Sequence, residues 1–498
     1  MSTRVRAIDL GFVVLLMLAS GVAYFAAGVR FDASTFPGYM QFIDAKLLDE
    51  RLFESIWYSH AYPPGLNVLV GLAYRAFGDG APAFLAVLFH GLGLVFAAGM
   101  FALTLRLTRS RIAAYLCTAL LVLSPGFVLY ENWLMYTFLE VVLLTLSAVA
   151  LYQTLDRGST AWAVALFTTL AALVLTRGLF HLGWFALVVA YVTWAAHNRL
   201  RVVTAAALPL LVATLWYAKN YFYFGTFAGS TMFGLGLSNI GTLTVPRADL
   251  DPLVEQGIVS PLALVSRYED VSLLFSAEND PPSGVPVLDA PRKSTGEYNY
   301  DYRPLVAIDA QYARDSLAVI RRYPAGYVIG VVTANRLFFS PSSMNEYFSS
   351  QNRAAVKPFE RLFNPVLYGV AAEPGFMVQP HFGFNVPPSL EVNTSVWLIA
   401  LWVLALVFGW LRVRPVFFAP SVEDRVARVT LGYLLFVMVY VHVLGTLVEL
   451  GENYRYRFVV EPFLAVAIAV IATDGMRRLA ARWSAKSTRR SDGPTLRV

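Results

Sequence analysis

The sequence predicts an all-α polytopic membrane protein with about ten transmembrane helices. Three observations support this fold class. Of the 498 residues, 57% are hydrophobic and only 14% are charged, and the mean hydropathy is +0.56. A soluble chain carries about 25% charged residues. In addition, apolar stretches of roughly 20 residues, the length that crosses a bilayer as a helix, recur along the chain.

These apolar stretches define ten candidate spans. They cover residues 8–28, 83–105, 112–129, 134–154, 160–176, 178–196, 201–219, 393–411, 428–448 and 458–475. The first span is long and no small-residue cleavage site follows it, so we interpret it as a retained helix and not as a signal peptide.

Clusters of Lys and Arg predict the orientation of the chain. They lie at residues 4–6, 106–111, 157, 198–201, 412–414 and 477–490. With ten spans, all of them fall on one side, which the positive-inside rule makes cytoplasmic. We therefore expect both termini in the cytoplasm. High Arg and Ala usage, together with this topology, favours a bacterial inner membrane.

The net charge of +6 and the pI near 9.2 agree with this topological signal. Attraction to anionic lipid headgroups accounts for the basic tail, so nucleic acid is not expected as a partner. The single cysteine, Cys117, lies inside a predicted span and excludes a disulfide framework.

The chain divides into four predicted parts. Residues 1–219 form an N-terminal transmembrane module with a first outer loop at 30–81, and 220–390 form an extracytoplasmic segment. Residues 391–476 carry the C-terminal spans, and 477–498 form a basic cytoplasmic tail. The two outer regions hold most of the polar residues, so we expect the chemistry there.

The first outer loop is predicted to hold two surface helices. In FPGYMQFIDAKLLDERLFESIWY, apolar residues recur at helical spacing from Tyr39 to Leu48, opposite a charged face that includes Asp44. This pattern is typical of an interfacial helix. A second helix begins at PPGLN, directly after His60. Asp32 is the first carboxylate after span one.

Two motifs at the outer ends of spans are suited to binding phosphate. In WYAKNYFYFG, Lys219 and Asn220 precede a stretch rich in Gly and Ser; in GENYRYRF, a pair of arginines opens the last span. Lys and exposed backbone amides bind phosphate, and Arg binds it through a fork of two donors. The second motif contributes Glu452, Tyr454, Arg455 and Arg457.

Structural explanations compete with each assignment. Lys219 among aromatic residues also fits an interfacial belt. The two arginines could instead pair with Glu452 and Glu461. Arg177 and Glu131 lie at outer turns between spans, where ionisable groups are either functional or paired.

The ordered series of motifs resembles the GT-C glycosyltransferases, polytopic enzymes that take a sugar from a polyprenyl-phosphate donor. The nearest branch is similar to bacterial aminoarabinose and galacturonosyl transferases and to protein mannosyltransferases. The matching motifs run over nearly the whole chain: an acidic first outer loop, HAYPPGLNVLVGLAYRAFG, LRLTRSR, SPGFVLYENW, LTRGLF, WYAKNYFYFG, IRRYPAGYV and ENYRYRFVVEP.

The resemblance implies an inverting transfer. A loop carboxylate acts as general base on an acceptor hydroxyl, while cationic groups or a divalent metal hold the departing lipid phosphate. The family's usual Asp position is Thr35 here, so we take Asp32 as the base, because it is the first carboxylate after span one, with Asp44 second. Lys219, Arg455 and Arg457 match donor-phosphate positions. Arg177, His60, Asn220, Tyr454, Glu452 and Glu131 are further candidates for the same cavity.

Two alternatives stay open. The first is a transporter or flippase of a lipid-linked solute, and the second is a noncatalytic protein of polysaccharide assembly. A transporter would place its site near the bilayer midplane in broken helices, whereas the ionisable groups here cluster at one face. The sequence does not specify the sugar, the polyprenyl chain, or whether the acceptor is a glycan, a glycolipid or a protein.

Overall fold

The computed structural model describes residues 5–265, 281–345, 347–369, 394–418 and 424–491. Helices form most of this part of the chain, and two isolated bridges are its only extended pairings. The helices are α1 Ala7–Ala27, α2 Ala45–Glu50, α3 Leu52–Tyr58, α4 Gly65–Phe77, α5 Ala81–Thr108, α6 Arg111–Val122, α7 Pro125–Glu131, α8 Tyr136–Arg157, α9 Thr160–Val174, α10 Leu182–Ala195, α11 Arg199–Phe224, α12 Phe233–Gly241, α13 Arg247–Glu255, α14 Pro286–Asp289, α15 Leu305–Arg322, α16 Pro324–Phe338, α17 Ser350–Tyr368, α18 Val396–Val413, α19 Pro415–Phe418, α20 Arg425–Leu447 and α21 Asn453–Ser491.

The fold is that of a multi-pass, all-helical membrane protein, as predicted. Seven helical segments of the described chain are long and apolar enough to cross a membrane: α1, α4 continued by α5, α8, α11, α18 continued by α19, α20 and α21. The pair α6 and α7, bent by 62°, makes an eighth if it forms one span. The remaining two predicted spans correspond to α9 and α10, which are apolar but have only 15 and 14 residues.

Helix α8 lies at the centre of the membrane bundle, with α5, α9, α20 and α21 packed against it. One of its buried polar groups pairs inside the bundle: the Ser147 hydroxyl lies 2.7 Å from the Tyr433 hydroxyl of α20. By contrast, α1 is at the edge and exposes Leu15, Leu18 and Val22. Exposed aliphatic residues on such a helix suit contact with lipid, because hydrocarbon tails are as apolar as leucine.

The first outer loop differs from the prediction at its start. The expected surface helix is divided into α2 and α3, and it begins only at Ala45. The Asp44 side chain accepts a hydrogen bond from the backbone N–H of Lys46, which is the N-cap arrangement that starts a helix. Tyr39 and Phe42 therefore lie in turns before the helix, despite their helical spacing.

The described part of the long outer segment contains helices α12 to α17. Helix α16 follows α15 directly after Tyr323, and Pro324 lies at its first helical position, where proline is tolerated. Helix α12 packs closely on α15: a Cβ added to Gly234 would lie 1.9 Å from the carbonyl oxygen of Asp309. The predicted 220–390 segment lies partly outside the described residues.

Candidate active site at the outer ends of the helices

A cavity of about 850 Å³ lies where the outer ends of several helices meet. Its walls come from segments that are distant in sequence: 38–41 of the first outer loop, 176–181 between α9 and α10, 226–236 after α11, 297–300 before α15, and 448–456 at the start of α21. All five lie on the face that the sequence predicts to be extracytoplasmic.

Arg177 forms one side of this cavity. Its guanidinium is buried and donates hydrogen bonds to both carboxylate oxygens of Glu140, at 3.1 and 2.9 Å. It also lies over the rings of Tyr136 and Tyr456, at 5.1 and 4.3 Å from their centroids. Burial alone would lower the pKa of Arg177, but the Glu140 carboxylate and the two tyrosines raise it. Arg177 is therefore a fixed cation.

Arg455 lies on the same wall and is incompletely paired. One terminal nitrogen is 2.6 Å from a carboxylate oxygen of Glu452, and the other donates to the Tyr136 hydroxyl at 2.8 Å. Its Nε is buried and has no hydrogen-bond partner among the described residues. Buried polar groups are nearly always hydrogen-bonded, so this N–H indicates a place for a ligand acceptor.

The Tyr136 ring brings the two arginines together. The Arg455 guanidinium is 5.2 Å from the ring centroid, much as Arg177 is. Each cation also has a nearby carboxylate, so both charges are partly balanced before any ligand binds. The arrangement offers planar, forked donors in a buried wall, which is the geometry that phosphate and carboxylate groups match.

Lys219 and Asn220 do not line the cavity, but they bind backbone segments next to it. The Asn220 amide donates to the carbonyl oxygen of Ala228 at 2.7 Å, within the Gly- and Ser-rich stretch. The Lys219 ammonium donates to the carbonyl oxygen of Ser59 at 2.6 Å and lies 3.7 Å from the Trp216 ring centroid. In this structure the two residues position backbone segments.

His60 has a similar place outside the cavity lining. Its backbone N–H donates to the Asp301 carboxylate at 2.7 Å, and its Nδ1 lies 2.8 Å from the Thr231 hydroxyl. Burial lowers the pKa of His60, although Asp301 opposes this shift. The residue joins the first outer loop to the 226–236 wall and to the segment before α15.

The two arginines of the GENYRYRF motif point to different surroundings. Arg457 is fully buried away from the cavity, donates to the carbonyl oxygen of Ser340 at 2.9 Å, and lies 2.9 Å from the Glu461 carboxylate. Tyr454 packs in a small apolar core beside Leu237. Of this motif, Gly451, Glu452, Arg455 and Tyr456 line the cavity.

The carboxylates predicted to be catalytic lie outside the cavity lining. Asp32 accepts hydrogen bonds from the backbone N–H and the hydroxyl of Ser34, at 2.9 and 2.6 Å. Asp44 accepts from the backbone N–H and the hydroxyl of Ser294, at 2.7 and 2.6 Å. Glu131 is buried, with its nearest oxygen 3.5 Å from Nδ1 of His90.

Three carboxylates that the sequence did not single out do line the cavity: Glu297, Asp309 and Glu449. Asp309 accepts hydrogen bonds from the backbone N–H groups of Gly234 and Leu235, at 3.0 and 2.7 Å. Burial raises its pKa to about 6. Glu297 and Asp309 reach the cavity through the packing of the long outer segment, whereas Glu449 lies between α20 and α21, three residues before Glu452.

Within the described residues, no group of three or more His, Cys, Asp or Glu side chains is close enough together to hold a metal ion. The cavity carboxylates are accordingly separate groups with different partners.

Comparison with known proteins gives matches among solved structures. The oligosaccharyltransferase AglB from Archaeoglobus fulgidus, in complex with an inhibitory peptide and a dolichol-phosphate, is 13% identical with a TM-score of 0.41. The match covers 99% of this chain and 53% of AglB, so the chain spans about half of that protein. No family model matches, and no curated protein matches in sequence.

ArnT from Cupriavidus metallidurans, bound to undecaprenyl phosphate, is 17% identical with a TM-score of 0.36; the match covers 91% of this chain and 78% of ArnT. Both proteins are GT-C glycosyltransferases, the superfamily that the sequence resembles.

Proposed function

We propose that this protein is a membrane glycosyltransferase that moves a sugar from a polyprenyl-phosphate donor to an acceptor hydroxyl at the extracytoplasmic face, with inversion at the anomeric carbon. The observation that carries the proposal is the incompletely paired Arg455 beside Arg177 in a cavity at one end of the helix bundle. Such a wall suits a phosphate group that arrives on a lipid.

The chemistry of the transfer fits this wall. When the acceptor oxygen attacks the anomeric carbon, the bond from that carbon to the phosphate oxygen breaks, and negative charge builds on the departing lipid phosphate. Fixed guanidinium groups stabilise that charge, and they need no rearrangement to do so. Arg177 and Arg455 are the residues placed to hold the leaving group.

The rest of the cavity suits a sugar and an acceptor. Its volume of about 850 Å³ lies in the range of small-molecule sites, which is roughly 300–1,000 Å³. Tyrosines in the lining supply rings and hydroxyl groups; they include Tyr62, Tyr298, Tyr300 and Tyr347. Amphipathic rings of this kind can pack on the C–H face of a sugar while their hydroxyls bond its oxygens.

The proposed location of the protein is a bacterial inner membrane, with both termini in the cytoplasm. The acceptor is proposed as a hydroxyl of a glycan, a glycolipid or a protein. For the general base, the sequence-based assignment to Asp32, with Asp44 second, stays a prediction. The hydrogen bonds of Asp32 to Ser34 are local to its own loop, so they neither require nor replace a substrate contact.

The test is donor turnover by the purified protein in lipid nanodiscs. Undecaprenyl-phosphate mannose, galacturonate and aminoarabinose would be supplied in turn, with and without Mg²⁺, and release of undecaprenyl phosphate would be followed. We expect release from one donor, and loss of that release in Arg455→Gln. If wild-type protein binds undecaprenyl phosphate but releases it from no donor, a noncatalytic role is favoured; alternating exposure of the cavity to both faces would favour a transporter.

A further inference from the structure

Four carboxylates line the cavity, and three of them already have partners. Asp309 accepts two backbone hydrogen bonds, Glu449 accepts the Asn239 amide at 3.0 Å, and Glu452 pairs with Arg455. The fourth, Glu297, accepts no side-chain hydrogen bond and forms no ion pair within the part of the chain that the structure describes. Glu297 is also solvent-exposed, whereas Arg177 and Arg455 are buried.

The backbone around Glu297 is nevertheless fixed. Its carbonyl oxygen accepts the backbone N–H of Lys293 at 2.8 Å, and the N–H of Gly296 closes the turn onto the Lys293 carbonyl at 2.9 Å. The Lys293 ammonium is buried and donates to the carbonyl oxygen of Tyr39 at 2.7 Å. Burial lowers the pKa of Lys293 to about 8, against the opposing carboxylates of Asp301, Asp44 and Glu297.

Asp44 attaches the same turn to the first outer loop. Both of its carboxylate oxygens accept hydrogen bonds from Ser294, one from the backbone N–H and one from the hydroxyl, and Asp44 is largely buried. The Thr295 hydroxyl adds a bond to the carbonyl oxygen of Pro37 at 3.2 Å. A rigid turn therefore presents one unpaired carboxylate to the cavity from its water-exposed side.

We propose that Glu297 is the carboxylate that contacts the acceptor hydroxyl and acts as general base, and that Asp44 is a positioning residue for it. The inference deepens the proposed function and rests on it. In the step, a Glu297 oxygen takes the hydroxyl proton as the acceptor oxygen bonds to the anomeric carbon. The bond from that carbon to the phosphate oxygen breaks, and the phosphate leaves with the electron pair.

The placement of charges agrees with this division of roles. A donor that arrives through the membrane brings its phosphate to the buried arginines, while an acceptor that arrives from water meets the exposed carboxylate first. A general base must also be free of an ion-pair partner before the substrate binds, because a carboxylate held in an ion pair is a weaker proton acceptor. Glu297 is the cavity carboxylate that meets this condition.

The experiment compares four variants in nanodiscs with the donor that wild-type protein turns over, water serving as the acceptor where no other is supplied. These are Glu297→Gln, Glu297→Ala, Asp44→Asn and Asp32→Asn. Glu255→Gln is the matched control, since Glu255 is an exposed glutamate at the end of α13 and outside the cavity lining. Undecaprenyl phosphate binding and thermal unfolding are measured for every variant.

We expect Glu297→Gln to lower kcat by roughly 10²- to 10⁴-fold, the usual contribution of a general base, with undecaprenyl phosphate affinity within about twofold of wild type. The residual rate of Glu297→Gln should not show the decrease at low pH that the wild-type rate shows. Added formate should partly restore the turnover rate of Glu297→Ala but not that of Asp44→Asn. The reason is that formate can replace a missing carboxylate but cannot restore the position of a turn.

A Glu297→Gln rate close to that of the Glu255→Gln control would overturn the assignment while leaving the glycosyltransferase proposal standing. If, in the same series, Asp32→Asn alone abolishes release, the base is Asp32. If wild-type protein neither binds undecaprenyl phosphate nor releases it from a donor, the proposed function fails, and the assignment of Glu297 fails with it.

Discussion

The buried Nε of Arg455 predicts a large and specific effect on phosphate binding. In Arg455→Lys the positive charge stays near Glu452, but the planar fork and the Nε donor are lost. Arg457→Lys is a matched control: this arginine lies two residues further along α21, is also buried and also has a glutamate partner, yet it does not line the cavity.

The magnitude follows from the contacts. Arginine has five N–H donors, and the described contacts of Arg455 leave Nε unused. A hydrogen bond between charged groups is worth about 1.5–3 kcal/mol. At 1.4 kcal/mol per tenfold change, its loss raises the Kd for undecaprenyl phosphate by roughly 10- to 150-fold. Arg457→Lys should change this Kd by less than about threefold, since the partners of Arg457, namely Ser340, Glu461 and Tyr368, do not line the cavity.

The assay is equilibrium binding of radiolabelled undecaprenyl phosphate to protein in nanodiscs, with thermal unfolding of each variant as the control for folding. The Arg457→Lys variant is expected to unfold at a lower temperature while it keeps its affinity. The reasoning would be refuted if both variants lost affinity equally, because the loss would then follow from damage to α21 and not from the cavity.

Three further outcomes follow from the structure. Arg177→Met should destabilise the protein by about 3–5 kcal/mol, because it leaves the buried Glu140 carboxylate unpaired, and the double variant with Glu140→Leu should regain part of that loss in thermal unfolding. The pKa of Asp309 in the folded state, about 6, is above its ordinary value of 3.8. The stabilising contribution of Asp309 is therefore fully present below pH 3.8 and is lost as the pH rises to about 6. Asp309→Asn should weaken the pH dependence of the unfolding temperature between these two pH values. Gly234→Ala should destabilise the packing of α12 on α15 by at least about 1–3 kcal/mol, whereas Gly183→Ala, with no atom near the added Cβ, should unfold like wild type.

The sequence by itself determined the class of fold and the position of the helices. Hydropathy is a local property, and a span of about 20 apolar residues needs a helix to satisfy its backbone in lipid, so helices occur at all ten predicted spans. Three of the candidate residues named from the sequence, Arg177, Glu452 and Arg455, line the same cavity, and their role there stays a prediction.

The spacing of Arg455 and Arg457 along α21 is sufficient to predict that their side chains point in different directions. On an α-helix each residue turns by about 100°, so two residues turn the side chain by about 200°. The two arginines therefore face opposite sides of α21, and one phosphate cannot bind both from a single cavity. Arg455 meets Tyr136, whereas Arg457 meets Ser340 and Glu461.

Only the tertiary structure decided which carboxylates reach the cavity. Asp44 and Ser294 are 250 residues apart in the chain, and their hydrogen bond sets the turn that presents Glu297. No local pattern encodes such a contact, since it depends on how the long outer segment folds back over the first outer loop. Composition and periodicity specify the helices of this protein, whereas the cavity arises from loops whose positions are fixed by bonds across the whole chain.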